Sequence, residues 1–400
     1  MSDRQSSAAR FATIDVLRGF AALFVACLHI REVMWIGERD FWRLHPSRLS
    51  IDTWLAVLSG PVMFGSFGVS AFFVISGYCI HRAHAAKLSR DAAYRVDSGR
   101  FWFRRIVRIY PVLVTALLVT LLCDSISERF APGFYKLGDL GLFSFVTNLA
   151  ALEGLFSAPF GSNGPLWTLA IEIQFYAVYP LVFQLRRRLG VHGTLALALA
   201  LTVLSWFVFE RRGLSVFASY QFSWMLGAYV ADREVIVRKA PTRFVVRRRT
   251  ALALAGAAVI LGGCAVFVAS QYWAFQVWAV GFTIVLVGLL EQPLRIGRVA
   301  GAFRQLGHLS YSLYAIHLPL AVLAVCVLFD GHKQVSLLPA VLILVLAVCC
   351  AWVFHLIFER PFVDWLGRQP SGAMSPSAEM AVPGVPQIEA VEPRVEPVID

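Results

Sequence analysis

An all-α, polytopic membrane bundle of about ten transmembrane helices, with one further re-entrant or interfacial segment, is the fold this sequence predicts. Three observations lead there. First, 58% of the 400 residues are hydrophobic and only 15% are charged, with a mean hydropathy of +0.67. A soluble domain carries about 25% charged and about 45–50% apolar residues. Second, the apolar residues gather into runs long enough to cross a hydrocarbon core of about 30 Å. Third, the basic residues behind the formal net charge of +11 lie between those runs. Lys and Arg placed there mark the cytoplasmic side of a membrane protein, so topology accounts for the charge and nucleic-acid binding is not expected.

Taken in order, residues 1–11 are a short polar, basic N-terminal tail. The first span, about 12–33, contains Asp15 and Arg18 and shows no small-residue cleavage site, so it is expected to remain as a signal anchor. Trp35, Phe41 and Trp42 follow in a mixed-charge segment suited to the membrane interface. Residues 52–66 are apolar but broken by Gly60, Pro61 and Gly65. The second span, about 67–83, holds Gly68, Ser70, Ser76 and Gly77, small residues that let a backbone or a ligand approach closely.

The most basic stretch runs from Arg82 to Arg108 and leads into the third span, about 106–123. Residues 140–157 are apolar but contain Asn148 and Glu153, and the Gly/Pro-rich SAPFGSNGP follows. The fourth span, about 166–185, is closed by Arg186, Arg187 and Arg188. Further spans fall at about 194–209, 214–231, 251–269, 272–290, 308–329 and 336–357, with basic loops at 233–249 and 291–305. The tail 363–400 turns rich in Pro, Ser and Glu and is expected to be disordered. If 140–157 stays on the outer side without crossing, all those basic loops are cytoplasmic and so are both termini. Arg211 and Arg212 then lie outside, against the rule.

Seven cysteines, Cys27, Cys79, Cys123, Cys264, Cys326, Cys349 and Cys350, sit in or beside apolar runs with no CxxC spacing. They read as small buried hydrophobes, not as a disulfide framework. His81 and His84 are three apart in the basic stretch without nearby carboxylates, and no HExxH, GxSxG or P-loop pattern occurs, so no metal is expected.

Four polar features stand out. Arg18 and His29 are eleven positions apart on the first span. At about 100° per residue they share one face, and at about 1.5 Å rise they are ~16 Å apart along the axis. Ionisable side chains at such depth mark sites or pathways, although Arg18 alone also fits snorkelling to the headgroups. Arg105 and Arg108 are i,i+3 neighbours and form a guanidinium pair suited to a polyphosphate, or simply a positive-inside signal. Glu172 lies within LWTLAIEIQFY, where a carboxylate needs a partner on another helix. In LGHLSYSLYAIH, Tyr311, Tyr314 and His317 follow at spacings of three. The tyrosines fit an interfacial belt and the histidine a packing role, but Ser76, Tyr314 and His317 remain candidates beside the stronger features.

LRGFAALFVACLH, GVSAFFVISGY, FRRIVRIYP, LWTLAIEIQFYAVYP and SYSLYAIHLP stand in the order found in the membrane acyltransferase-3 family, and the chain resembles that family over about residues 12–362. The resemblance implies an integral membrane enzyme that moves an acyl group, commonly acetyl from acetyl-CoA, to a hydroxyl of a carbohydrate: a surface or exported polysaccharide, a lipopolysaccharide or a glycosylated metabolite. It implies a multi-pass protein of the inner or plasma membrane. The family's Arg-ten-residues-His motif falls on Arg18 and His29, its RxxR motif on Arg105 and Arg108, and its acidic position on Glu172; Asp15 also fits the pattern. On this basis His29 is the expected base, with Glu172 beside it in the catalytic set and orienting His29 or Arg18. Arg18, Arg105 and Arg108 are the expected donor-binding residues. Some relatives carry a fused extracytoplasmic domain, which leaves open a separate extracytoplasmic partner here. Read without the resemblance, the same polar residues also suit a proton-coupled secondary transporter, against which no internal repeat is visible, or a non-catalytic membrane scaffold.

Overall fold

The computed structural model describes residues 3–237 and 245–369. The expected basic loop 233–249 lies partly, and the expected disordered tail 363–400 largely, outside the described residues. Among the described residues the regular structure is helical, apart from two isolated bridges, Trp35 with Gln334 and Glu153 with Ser157.

Most of the expected polar tail 1–11 already belongs to α1 (Asp3–Met34), which carries the first span. The short α2 (Glu38–Arg43) and α3 (Ile51–Ser59) follow, the latter capped by Ser50 Oγ accepting from Thr53 N. Gly60 and Pro61 end α3, and α4 (Phe67–Leu88) carries the second span. Asp97 caps α5 (Ser98–Phe130) by accepting from Arg100 N. α6 (Leu142–Leu149) is only eight residues. At 1.5 Å per residue that is about 12 Å, so the apolar run 140–157 does not cross. α7 (Leu166–Val208) is 43 residues, too long for one crossing, and its halves join at Gly190 (φ 70°, ψ 175°). α8 (Phe217–Val237), α9 (Val245–Ala269), α10 (Gln271–Glu291), α11 (Arg298–His308), α12 (Ser310–Phe329), α13 (Leu338–Phe354) and α14 (Arg360–Arg368) complete the chain, with a π-turn at His355–Glu359 between the last two.

Seven of the described helices are long and apolar enough to cross a membrane, or eight if the pair on either side of Gly65, bent by 45°, forms one broken span. α7 counts once in that number although it contains two of the expected spans. α8, which covers most of the expected span 214–231, is not among them; Ser219, Gln221, Ser223 and Asp232 break its apolar run. The molecule is a multi-pass membrane protein of the all-α class.

α4 packs on α8, α9 on α10, α5 on α12, and α1 on both α11 and α12. Two of these approaches depend on glycine. A Cβ on Gly77 would lie 2.0 Å from Trp224 O, and one on Gly227 would lie 1.9 Å from Val74 O. A Cβ on Gly19 would lie 1.9 Å from Phe303 O, and one on Gly307 would lie 2.0 Å from Asp15 O. The obstructing atoms are backbone and cannot rotate away, so the helices touch main chain to main chain, as small residues allow in membranes.

A layer of ion pairs crosses one end of the bundle. Asp232 on α8 accepts from Arg186 Nη2 at 2.6 Å and Nε at 3.0 Å and meets His81 Nε2 at 3.0 Å, while His81 Nδ1 reaches Tyr179 OH at 3.1 Å. Glu234 takes Arg10, Arg82 and Tyr78. His84 Nδ1 meets Tyr94 OH at 2.9 Å. Several arginines that read as loop charge are therefore structural cations.

Gly77→Ala should lower the thermal midpoint in detergent, with a cost of about 1–3 kcal/mol expected for overpacking. Gly262→Ala is the control: no atom lies within 4 Å of its added Cβ, and it should leave the midpoint unchanged or raise it.

Candidate active site

α1 and α12 bring two histidines into contact. His29 Nδ1 lies 2.9 Å from His317 Nε2, and the rings stack with centroids 5.1 Å apart and planes 16° apart. His317 is completely buried. Its Nδ1 sits 3.0 Å from Leu313 O and 2.9 Å from Tyr314 O. Carbonyl oxygens only accept, so His317 Nδ1 carries the proton. With both rings neutral, His317 Nε2 is an acceptor, His29 Nδ1 donates to it, and His29 Nε2 is left with a free lone pair. Two backbone carbonyls thus set the tautomer of a residue on another helix.

Glu172 on α7 is held by its own neighbours. Its Oε1 accepts from Ser76 Oγ at 3.0 Å and from Tyr176 OH. Trp224 Nε1 donates to Ser76 Oγ at 3.3 Å. These bonds run to Ser76 and Tyr176 and not to His29 or Arg18, the residues Glu172 is expected to orient; the residue against His29 is His317, 288 positions away in sequence. Ser76 joins the site as the hydroxyl that fixes Glu172. Tyr314 donates to Pro165 O at 3.1 Å and accepts from Thr168 Oγ1 at 2.6 Å, so its hydroxyl ties α12 to the start of α7.

Tyr311 is different. Its hydroxyl is buried without a hydrogen-bond partner. Its electrostatic neighbours are Glu172, Tyr176, Glu359 and Arg108. On α12 it lies six residues before His317, toward the arginines, so a phenolic donor stands unused between the two parts of the site.

The third part is cationic. Asp15 has Arg18, Arg304 and Arg108 as its charged neighbours. Arg304 comes from α11, which the Gly19 and Gly307 contacts press against α1. Arg105 lies over the Phe101 and Tyr176 rings, 5.3 and 5.6 Å from their centroids. Cys79, expected to be buried, is exposed although it lies near the middle of α4, with Arg18 and Arg108 among its charged neighbours. Arg18, Arg108 and Arg304 thus gather around Asp15, about three helical turns along α1 from His29.

At the end nearer His29, the loop between α6 and α7 is bonded onto the bundle. Ser162 N and Oγ donate to Asp124 at 2.6 and 2.7 Å. Asn163 Nδ2 donates to Thr120 Oγ1 and to Ala315 O, both at 2.9 Å, two residues before His317. Glu153, in the same loop, is 3% exposed, and neither of its oxygens has a hydrogen-bond partner. Burial alone pushes its carboxyl up to about 8.

Sequence reading singled out His29 and His317 separately but not their pairing. It passed over Arg304 as loop charge and Tyr311 as interfacial belt. The usable signal was helical register: Tyr311, Tyr314 and His317 recur at threes on one helix. No group of three or more His, Cys, Asp or Glu placed to hold a metal occurs among the described residues.

The family model described as "Acyltransferase domain" (Acyl_transf_3) matches residues 11–356. The chain is 30% identical over 186 residues to the acyltransferase MdmB of Streptomyces mycarofaciens, 46% of this chain and 41% of MdmB. It is 25% identical over 371 residues, 87% of this chain and 91% of the relative, to BcsY of Komagataeibacter xylinus, whose name proposes a membrane-bound transacylase. It is 32% identical over 124 residues to the peptidoglycan O-acetyltransferase OatA of Listeria monocytogenes, 29% of this chain and 19% of OatA. The chain thus matches less than half the length of MdmB and of OatA. No solved structure matches it.

Glu153 makes stability depend on pH. Its folded value, about 8, stands above its ordinary 4.5. Its contribution is intact below 4.5 and is lost as pH rises toward and through 8. Thermal midpoints of the wild type should therefore fall relative to Glu153→Gln between pH 5 and pH 9, and equal slopes for the two proteins would contradict this.

Proposed function

The chain belongs to this acyltransferase family, and we propose that it is an integral membrane O-acetyltransferase that carries an acyl group from acyl-CoA, entering from the cytoplasm, to a hydroxyl of a carbohydrate acceptor. In this reading the protein lies in the inner or plasma membrane with both termini cytoplasmic. The acceptor is a surface or exported glycan, or a glycosylated metabolite. The names of MdmB, BcsY and OatA support acyl transfer, and that of OatA an envelope polymer as acceptor.

The observation that carries the reading is the His29–His317 pair, which leaves His29 Nε2 unprotonated. A hydroxyl attacking a thioester must lose its proton, and an imidazole lone pair takes it. The acceptor oxygen bonds to the thioester carbonyl carbon, and the hydroxyl proton passes to His29 Nε2. The C–S bond then breaks, and the departing sulfur takes the proton from His29 as free CoA. While His29 is charged, its Nδ1–H remains donated to His317 Nε2, so the partner stabilises the imidazolium. Tyr311, whose hydroxyl has no hydrogen-bond partner, would donate to the carbonyl oxygen as negative charge develops there. Arg105 and Arg108, with Arg18 and Arg304 nearby, would hold the phosphates and the pantetheine path of the donor. Glu172, locked by Ser76 and Tyr176, shapes the wall between the two regions.

Turnover and binding of radiolabelled acetyl-CoA by purified protein test this. His29→Ala should bind donor and fail to turn it over. His317→Ala should lower kcat by about 10²-fold, within the range for lost acid–base assistance. Tyr311→Phe should lower kcat by at least about tenfold with the donor KM unchanged. The double variant Arg105→Ala/Arg108→Ala should lose donor affinity instead. A well-folded wild type that neither binds nor turns over acetyl-CoA would overturn the reading.

A further inference from the structure

We propose that Glu153 is an acceptor-recognition residue whose carboxyl group hydrogen-bonds to hydroxyls of a polyol bound at the His29 end of the bundle. The proposal rests on the acyltransferase reading and names the group that would hold the second substrate.

The loop is built to present this side chain. Ala151 takes a positive φ of 57° and Gly154 one of 77°, so the backbone turns sharply on both sides of Glu153. Leu152 N donates to Thr147 O at 2.9 Å, and Gly154 N donates to Ser157 O at 2.9 Å. Gln174 on α7 donates from Nε2 to Ala151 O at 2.8 Å and accepts from Phe217 N at 2.9 Å. Ser215 N donates to Gly154 O at 3.2 Å, tying the loop to the approach of α8. Ser157 and Asn148 close the far side, with Asn148 Oδ1 accepting from Phe160 N at 2.9 Å. Every bond in this frame is made by its neighbours, and Glu153 contributes its side chain to none of them.

A buried carboxyl with neither oxygen satisfied is rare in a folded protein and calls for a partner. Tyr314 is its titratable neighbour, but both roles of that hydroxyl are spent on Pro165 and Thr168. A group from outside the frame can supply the partner. Carbohydrate hydroxyls both donate and accept, so they pair with this carboxyl in either protonation state. Position agrees: the same loop is bonded at Asn163 to Ala315, and Tyr314 is one turn from His317. A sugar held at Glu153 approaches the histidines from the end opposite the arginines, so donor and acceptor do not compete for one opening.

The test uses membranes from source cells carrying the full chain as their sole copy, given ¹⁴C-acetyl-CoA, with the cells' own envelope glycans as the probe acceptor. Glu153→Met removes both acceptor oxygens at similar volume, and Glu153→Gln keeps one. Label reaching glycan should fall at least about tenfold in the Met variant and less in the Gln variant, with the donor KM within about twofold of wild type; added glycan should restore part of the loss. Wild-type labelling in Glu153→Met overturns the proposal, as does a variant that loses donor binding as well. A wild type that turns over acetyl-CoA but labels no hydroxyl compound also overturns it. Absence of acetyl-CoA turnover in the wild type instead removes the acyltransferase reading beneath it.

Discussion

Polar groups inside a bilayer-spanning bundle must find partners within the protein, because hydrocarbon offers none. The interior here follows that demand. His29 is completed by His317, Glu172 by Ser76 and Tyr176, Asp124 by Ser162, and Glu359 by Ser312 and His355. Tyr176–Glu172 and His355–Glu359 lie one turn apart, and the other bonds join segments distant in sequence. They orient the bundle as well as satisfy it, since a pair formed across two helices sets their register. Against this background the buried groups without a hydrogen-bond partner stand out, among them the Tyr311 hydroxyl and both oxygens of Glu153.

The second constraint is how near two helices can come. Gly77 against Gly227, and Gly19 against Gly307, allow main-chain contact where any side chain would hold the helices apart. The first pair seats α4 on α8, which places Trp224 over Ser76 and so steadies Glu172. The second seats α11 on α1 and delivers Arg304 to the neighbourhood of Asp15 and Arg18. Glycine is therefore as much a part of the site as the charged residues are, through distance and not through chemistry.

Together these features divide the interior by function. Arginines gather around Asp15, a histidine pair with a preset tautomer lies further along, and a bonded loop with a bare carboxyl covers the far end. Under the proposed function, such an arrangement would let two substrates of opposite character, a polyanionic thioester and a polyol, meet without sharing an entrance.

Composition and loop charge were sufficient for the class of molecule, because the cost of a charge in hydrocarbon is paid residue by residue and shows in any window of the chain. Helical period was likewise enough to place Arg18 and His29 on one face and Arg105 beside Arg108, since both relations stay within a single helix. The pairing of His29 with His317, the capture of Glu172 by Ser76 and Tyr176, and the recruitment of Arg304 were decided only when the helices packed. Each depends on which faces meet across hundreds of residues. That choice rests on glycine contacts and backbone carbonyl positions to which local pattern is blind. The same holds for Glu153, an ordinary acidic residue in an apolar run until the loop folds over it and leaves its oxygens bare.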